Sequence, residues 1–86
     1  MTVTDPSQPD PCREFVEFVA RLLAHAPEDV VVTESTVGNT TVYRLKLNPD
    51  DVGRVIGREG RIIRAIRSLL RAAAVRQGTR VALEIE

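Results

Sequence analysis

Apolar positions in this chain alternate between a helical period and a strand period, and proline or glycine marks each change. Phe15, Val19, Leu22 and Leu23, with Val16 and Phe18 beside them, recur at helical spacing and predict an amphipathic helix over residues 11–25. Asp10-Pro11 gives that helix a capping carboxylate and a proline at its first position. Pro27 stops it, because the residue before a proline is pushed out of the helical region. Two β-branched runs follow, 30–37 and 40–47, separated by Gly38-Asn39, a two-residue hairpin signal. In that register Tyr43, Leu45 and Leu47 oppose Glu34, Val32 and Val30 on one mostly apolar face. Thr33, Ser35, Arg44 and Lys46, with Val31, Val37 and Val42 among them, make the solvated face.

The second half repeats the same logic. Asn48-Pro49-Asp50-Asp51 opens a short helix that runs to about Ile56, with its acids at the positive end of the helix dipole. After Gly57-Arg58-Glu59-Gly60 a long helix begins, with Ile62, Ile63, Ile66, Leu69, Leu70 and Ala73 as its core-facing stripe and Arg61, Arg64, Arg67 and Arg71 opposite. Gln77-Gly78 ends it. Residues 80–86 then alternate, Val81, Leu83 and Ile85 inward and Glu84 and Glu86 outward. The order is αββααβ. The crossover between the second and third strands makes them parallel neighbours, with the first strand antiparallel on the other side and three helices on one face of a three-stranded mixed sheet.

Composition narrows the class. Eighty-six residues with 43% hydrophobic content make one small α+β domain, expected to span 10–86 behind a polar, proline-broken tail at 1–9 that reads as disordered. Apolar runs are too short to cross a membrane, and the N-terminus lacks the basic start and apolar stretch of a secretory signal. A lone cysteine, Cys12, allows no internal disulfide and no multi-thiolate metal site, which fits a reducing cytoplasm.

The net charge is zero, yet the charges are segregated. Residues 1–52 carry a net −5, whereas 53–80 hold eight arginines against Glu59 alone, a net +7. Such asymmetry puts a local positive field on a neutral molecule. The basic segment is also the one that carries the Gly57–Gly60 turn. Two glycines three apart let the backbone bend with no Cβ in the way, so a phosphodiester can lie on main-chain N–H groups at a helix start.

Val55-Ile56-Gly57-Arg58-Glu59-Gly60-Arg61-Ile62-Ile63-Arg64, placed after the second strand, resembles the signature of the KH domain, and the element order resembles its prokaryotic, type II form. The likeness covers roughly residues 11–86 and is closest to the small stand-alone KH-domain proteins of bacteria, the KhpA-like family. It implies a GxxG loop that clamps about four nucleotides of single-stranded RNA. It also implies a non-enzymatic cytoplasmic RNA-binding protein, an RNA chaperone or post-transcriptional regulator. Such proteins self-associate as homodimers and pair with a larger KH-containing protein. The RNA-contacting residues are expected to be Arg54, Val55, Ile56, Gly57, Arg58, Glu59, Gly60, Arg61, Ile63 and Arg64. An apolar groove beside Val55, Ile56 and Ile63 would accept bases. The second middle position of the loop departs from the family's usual basic or polar residue: it is Glu59, which weakens the clamp unless Arg58 or Arg64 pairs with it.

Catalytic readings find little support. His25 stands alone near a helix end, Cys12 has no nearby base, and the glycines match neither a P-loop nor a dinucleotide fingerprint. Asp50 and Asp51 are read as satisfying a helix dipole, and no metal ligand set or cofactor site is found. The three aromatic residues, Phe15, Phe18 and Tyr43, map to the buried side, which leaves the outer sheet face without a stacking platform. Two further readings stay open. One is a protein-interaction domain that dimerises through the turn and its flanking helices while a partner supplies the RNA contact. The other is an accessory domain of a ribosomal or processing enzyme.

Overall fold

The strand-period segments assemble into one sheet in the computed structural model, which describes residues 10–86. The expected tail at 1–9 lies outside the described residues. The elements are α1 (Pro11–Leu23), β1 (Val31–Val37), β2 (Thr40–Lys46), α2 (Val52–Ile56), α3 (Arg61–Gln77) and β3 (Arg80–Ile85). Sheet order is β1-β2-β3, with β1 and β2 antiparallel and β2 and β3 parallel. The predicted register is observed, Val32 opposite Leu45 and Glu34 opposite Tyr43. Gly38 makes the hairpin possible by adopting a φ of +61°.

Capping is local and specific. Asp10 Oδ1 accepts from the N–H groups of Cys12 at 3.0 Å and Arg13 at 3.4 Å, and its Oδ2 accepts from the Tyr43 hydroxyl at 2.8 Å. One carboxylate therefore starts α1 and satisfies the only polar atom of a buried aromatic side chain. The far end of α3 closes on Gly78 at φ +72°, with Gly78 N–H bonded to the Val75 carbonyl and Thr79 N–H to that of Ala74. No helix among the described residues is long and apolar enough to cross a membrane.

Val16 and Ala20 of α1, Val55 of α2, and Ile63, Ile66 and Leu70 of α3 pack on the sheet face made by Val30, Val32, Tyr43, Leu45, Leu47 and Leu83. The helices thus share one face, and Thr33, Arg44, Lys46 and Glu84 on the other meet solvent. Three expected core positions depart from this arrangement. Phe18 is 66% exposed, Leu22 70% and Leu69 57%. The sheet is only three strands wide, so it covers the arc of α1 centred on Cys12, Val16 and Ala20, and the apolar residues beyond that arc stay uncovered. Helix α1 also ends at Leu23, short of the expected residue 25: the Ala24 N–H still bonds to the Ala20 carbonyl, but Asp51 captures the N–H groups of His25 and Ala26.

Candidate nucleic-acid interface

The Gly57–Gly60 turn is built from backbone conformations that few residues adopt. Gly57, Glu59 and Gly60 have φ of +79°, +56° and +74°. At Gly57 a Cβ would come within 2.7 Å of Ile62 Cγ1, so the first turn of α3 packs directly on bare backbone. Ile62 is a participant that the sequence pattern assigned only to the core stripe. Glu59 holds a left-handed conformation with a side chain, which is costly for anything but glycine or a short polar residue.

Hydrogen bonds in the turn leave a defined gap. Gly57 N–H donates to the Gly53 carbonyl at 2.9 Å, Gly60 N–H to that of Gly57 at 3.1 Å, and Arg61 N–H to that of Arg58. Among the described residues, no acceptor engages the N–H groups of Arg58 and Glu59. Both residues are exposed. Two adjacent donors at the start of a 17-residue helix, on the positive side of its dipole, are suited to an anionic oxygen.

The surrounding arginines differ in their freedom. Of the eight in residues 53–80, only Arg54 has a carboxylate partner among the described residues, its Nε donating to Asp51 Oδ1 at 3.2 Å. Arg58, Arg61, Arg64 and Arg71 are exposed without an ion pair there, and Glu59 pairs with neither Arg58 nor Arg64. Outside that segment three of the four basic residues pair with carboxylates, Arg13 with Glu17 and Glu34, Arg21 with Glu17 and Arg44 with Glu84, and Lys46 has no ion pair among the described residues. Arg67 is not on a solvated face as expected. It is half-buried and donates to the Leu83 carbonyl at 3.0 Å. With Arg71, Leu70, Val81, Ala82 and Leu83 it lines a groove of about 170 Å³ between α3 and β3. The side of α3 carrying Arg67 and Arg71 therefore faces the β3 edge.

The apolar residues flanking the turn are placed differently from the expected groove. Val55 is fully buried and Ile63 is 6% exposed, both in the core, so they shape the turn from below. Only Ile56 and Ile62 keep partial exposure beside it. Asp51, read from sequence as a helix-dipole acid, is 2% exposed. Its oxygens accept from the N–H groups of His25 and Ala26, each at 3.0 Å. Those two bonds, with the Arg54 guanidinium beside them, hold its carboxyl below the usual carboxylate range. Asp51 thus anchors the segment after α1 to the start of α2 and steadies the entry to the turn. Cys12 is buried among Tyr43 and core apolar groups, and burial pushes its thiol up, away from reactivity.

The turn, the arginine side of α3 and the αββααβ order coincide with a family match across residues 13–85, to the family described as KhpA/KhpB, KH domain. The chain belongs to that family. It is 42% identical over 73 residues to the RNA-binding protein KhpA of Clostridium perfringens, covering 85% of this chain and 97% of that one. It is 44% identical over 72 residues to the RNA-binding protein KhpA of Treponema pallidum, covering 84% and 90%. Among solved structures it is similar to Era of Aquifex aeolicus bound to GDP and AlF4⁻, at a TM-score of 0.54 and 18% identity, covering 99% of this chain and 36% of Era. A second Era structure, in complex with MgGDPNP and a segment of 16S ribosomal RNA, gives a TM-score of 0.55 at 18% identity, covering 98% and 35%. The chain spans about a third of Era, and at that identity the likeness shows the fold alone.

Proposed function

We propose that this chain is a non-enzymatic, cytoplasmic RNA-binding protein that holds the backbone of single-stranded RNA on the Gly57–Gly60 turn and the arginine side of α3, acting as an RNA chaperone or post-transcriptional regulator. The observation that carries this reading is the set of uncompensated groups at one place. The unbonded N–H groups of Arg58 and Glu59 stand beside Arg58, Arg61 and Arg64, none paired with a carboxylate among the described residues. A surface evolved only for solubility mixes signs, as the rest of this molecule does. The family relatives that match nearly end to end and carry the name RNA-binding protein support the same conclusion.

In this reading a phosphate sits on the two N–H groups, and Arg58 and Arg61 supply counter-charge from either side. Arg64 continues the track down α3, and Arg67 and Arg71 extend it to the β3 edge. Bases rest on Ile56 and Ile62 and in the groove between α3 and β3, with no aromatic stacking, so sequence preference is loose. Arg54, held by Asp51, acts on the RNA mainly through its field. A second role, protein association with the same fold, is favoured by the exposed apolar residues of α1 and α3; pairing with a larger KH-containing protein belongs to that role.

The test replaces both middle residues of the turn, Arg58→Asp with Glu59→Asp. The glycines still shape the backbone, and both altered side chains are exposed, so the thermal midpoint and circular dichroism stay close to the parent. The site exchanges a positive charge for a negative one, and an aspartate can occupy the donors that a phosphate requires. Fluorescence anisotropy with labelled single-stranded RNA should show a loss of about tenfold or more, on the order of 1.4 kcal/mol. A folded double variant that binds as tightly as the parent would make the turn structural only.

A further inference from the structure

The groove between α3 and β3 is rich in hydrogen-bond donors and poor in acceptors. Its lining is Arg67, Leu70, Arg71, Val81, Ala82 and Leu83. Only the two arginines among them have polar side chains, and a guanidinium donates hydrogen bonds without accepting any. β3 is the outermost strand of the sheet, so the Leu83 carbonyl could add an acceptor. That acceptor is already used, because Arg67 Nη2 donates to it at 3.0 Å. The same bond holds the half-buried guanidinium across the groove. Its other N–H groups stay available, since Arg67 has no ion pair among the described residues.

Arg71 supplies a second donor group one turn on. α3 and β3 are joined by Gly78 and Thr79 alone and so run in opposite directions. The step from Arg67 to Arg71 is about 6 Å along the helix, and the step from Leu83 back to Val81 is about 6.6 Å along the strand, so Arg71 stands level with Val81. A ligand in the groove therefore meets arginine donors at both levels, above a floor of Leu70, Val81, Ala82 and Leu83. The volume of about 170 Å³ is well under the roughly 300 Å³ at which pockets for drug-sized ligands begin, which leaves room for a single base. A phosphate gains nothing from the apolar floor. A base ring is attracted to it and turns its polar edge to the arginines. Uracil and guanine carry a carbonyl oxygen, O4 or O6, where cytosine and adenine carry an amine. The oxygen accepts from a guanidinium, whereas the amine meets another donor and stays unpaired, which weakens binding.

We propose that this groove holds one base of the bound strand and selects uracil or guanine over cytosine or adenine, with Arg67 and Arg71 donating to the base carbonyl. The proposal rests on the single-stranded RNA reading above and adds a preference at one position to its otherwise loose recognition.

Fluorescence anisotropy of the full chain with labelled oligouridylate and oligocytidylate of equal length compares an oxygen with an amine at one ring position. Oligouridylate should bind about fivefold or more tightly at the same salt concentration. Arg67→Gln introduces an amide that accepts as well as donates and frees the Leu83 carbonyl, so the ratio of the two affinities should fall to about twofold or less. Comparing the ratio before and after substitution cancels the difference in stacking between the two free strands. Arg71→Gln, at an exposed position, should lower the ratio as well, and it carries the test should the first variant not fold by circular dichroism. Arg64→Gln, outside the groove, should weaken both oligonucleotides by similar factors. Equal affinity of the parent for the two oligonucleotides would overturn the base selection and leave the RNA reading standing. So would a ratio that survives both groove substitutions. Failure to bind either oligonucleotide would overturn the RNA reading and this proposal together.

Discussion

Glu59 combines two unfavourable properties in one residue. Its φ of +56° is a left-handed conformation that costs a residue bearing a Cβ about 1–2 kcal/mol, and its carboxylate stands among unpaired arginines where a phosphate is proposed to sit. Asparagine tolerates that conformation and carries no charge. Glu59→Asn should therefore raise the thermal midpoint by about 2–5 °C in a scan and tighten single-stranded RNA by about two- to threefold in a titration. If stability rises while RNA affinity does not, the carboxylate lies off the RNA path. Nothing in the spacing of the two glycines revealed this strain. A Gly-x-x-Gly pattern specifies where a bend occurs, and it took the backbone angles to show that a third residue bends with the glycines.

At the scale of elements, what the sequence disclosed and what it hid divide along one physical line. Periodicity, caps and turn residues are local, and the αββααβ order, the hairpin register, the Asp10 cap and the Gly78 stop were all legible from them. Contacts between distant segments were not. Asp51 looked like one of two acids at a helix start, yet its carboxylate reaches back to the N–H groups of His25 and Ala26, and no one-dimensional pattern marks that reach. The burial of Val55 and Ile63, the exposure of Phe18 and the reach of Arg67 to Leu83 depend likewise on which helix lies over which strand. Asp51 gives this level its prediction. Its folded pKa is depressed, so the stability it contributes is present above the ordinary carboxylate pKa and is lost as pH falls through the folded value. Asp51→Asn sets an amide N–H against a donor, and it should lower the thermal midpoint at pH 7 by about 5 °C or more. It should also flatten the loss of stability below about pH 4 in thermal melts. An unchanged acid limb would mean that the anchor does not survive in solution.

For the whole molecule, a net charge of zero conceals a segregation along the chain: residues 1–52 carry a net −5, and residues 53–80, with the turn and α3, a net +7. Long-range attraction to a polyanion is accordingly modest, and contact-range counter-ion release dominates. With about three or four arginines on phosphates, log K against log salt for single-stranded RNA should slope near −2 to −3. A flat dependence would remove the electrostatic account. Arg67 has a further consequence at this scale. Arg80 donates its N–H to the carbonyl of Asn39, just before β2, and Glu86 to that of Leu45 in β2, so the alternate residues of β3, Leu83 among them, turn their backbone groups to the unpaired side of the sheet. Such a row is a template for uncontrolled strand addition between molecules, the first step toward fibrillar aggregates. The Arg67 guanidinium lies across that row and occupies the Leu83 carbonyl, so an incoming strand must first displace a charged group that no apolar segment can accommodate. The side chain that extends the basic track thereby also guards the chain against templating its own aggregation.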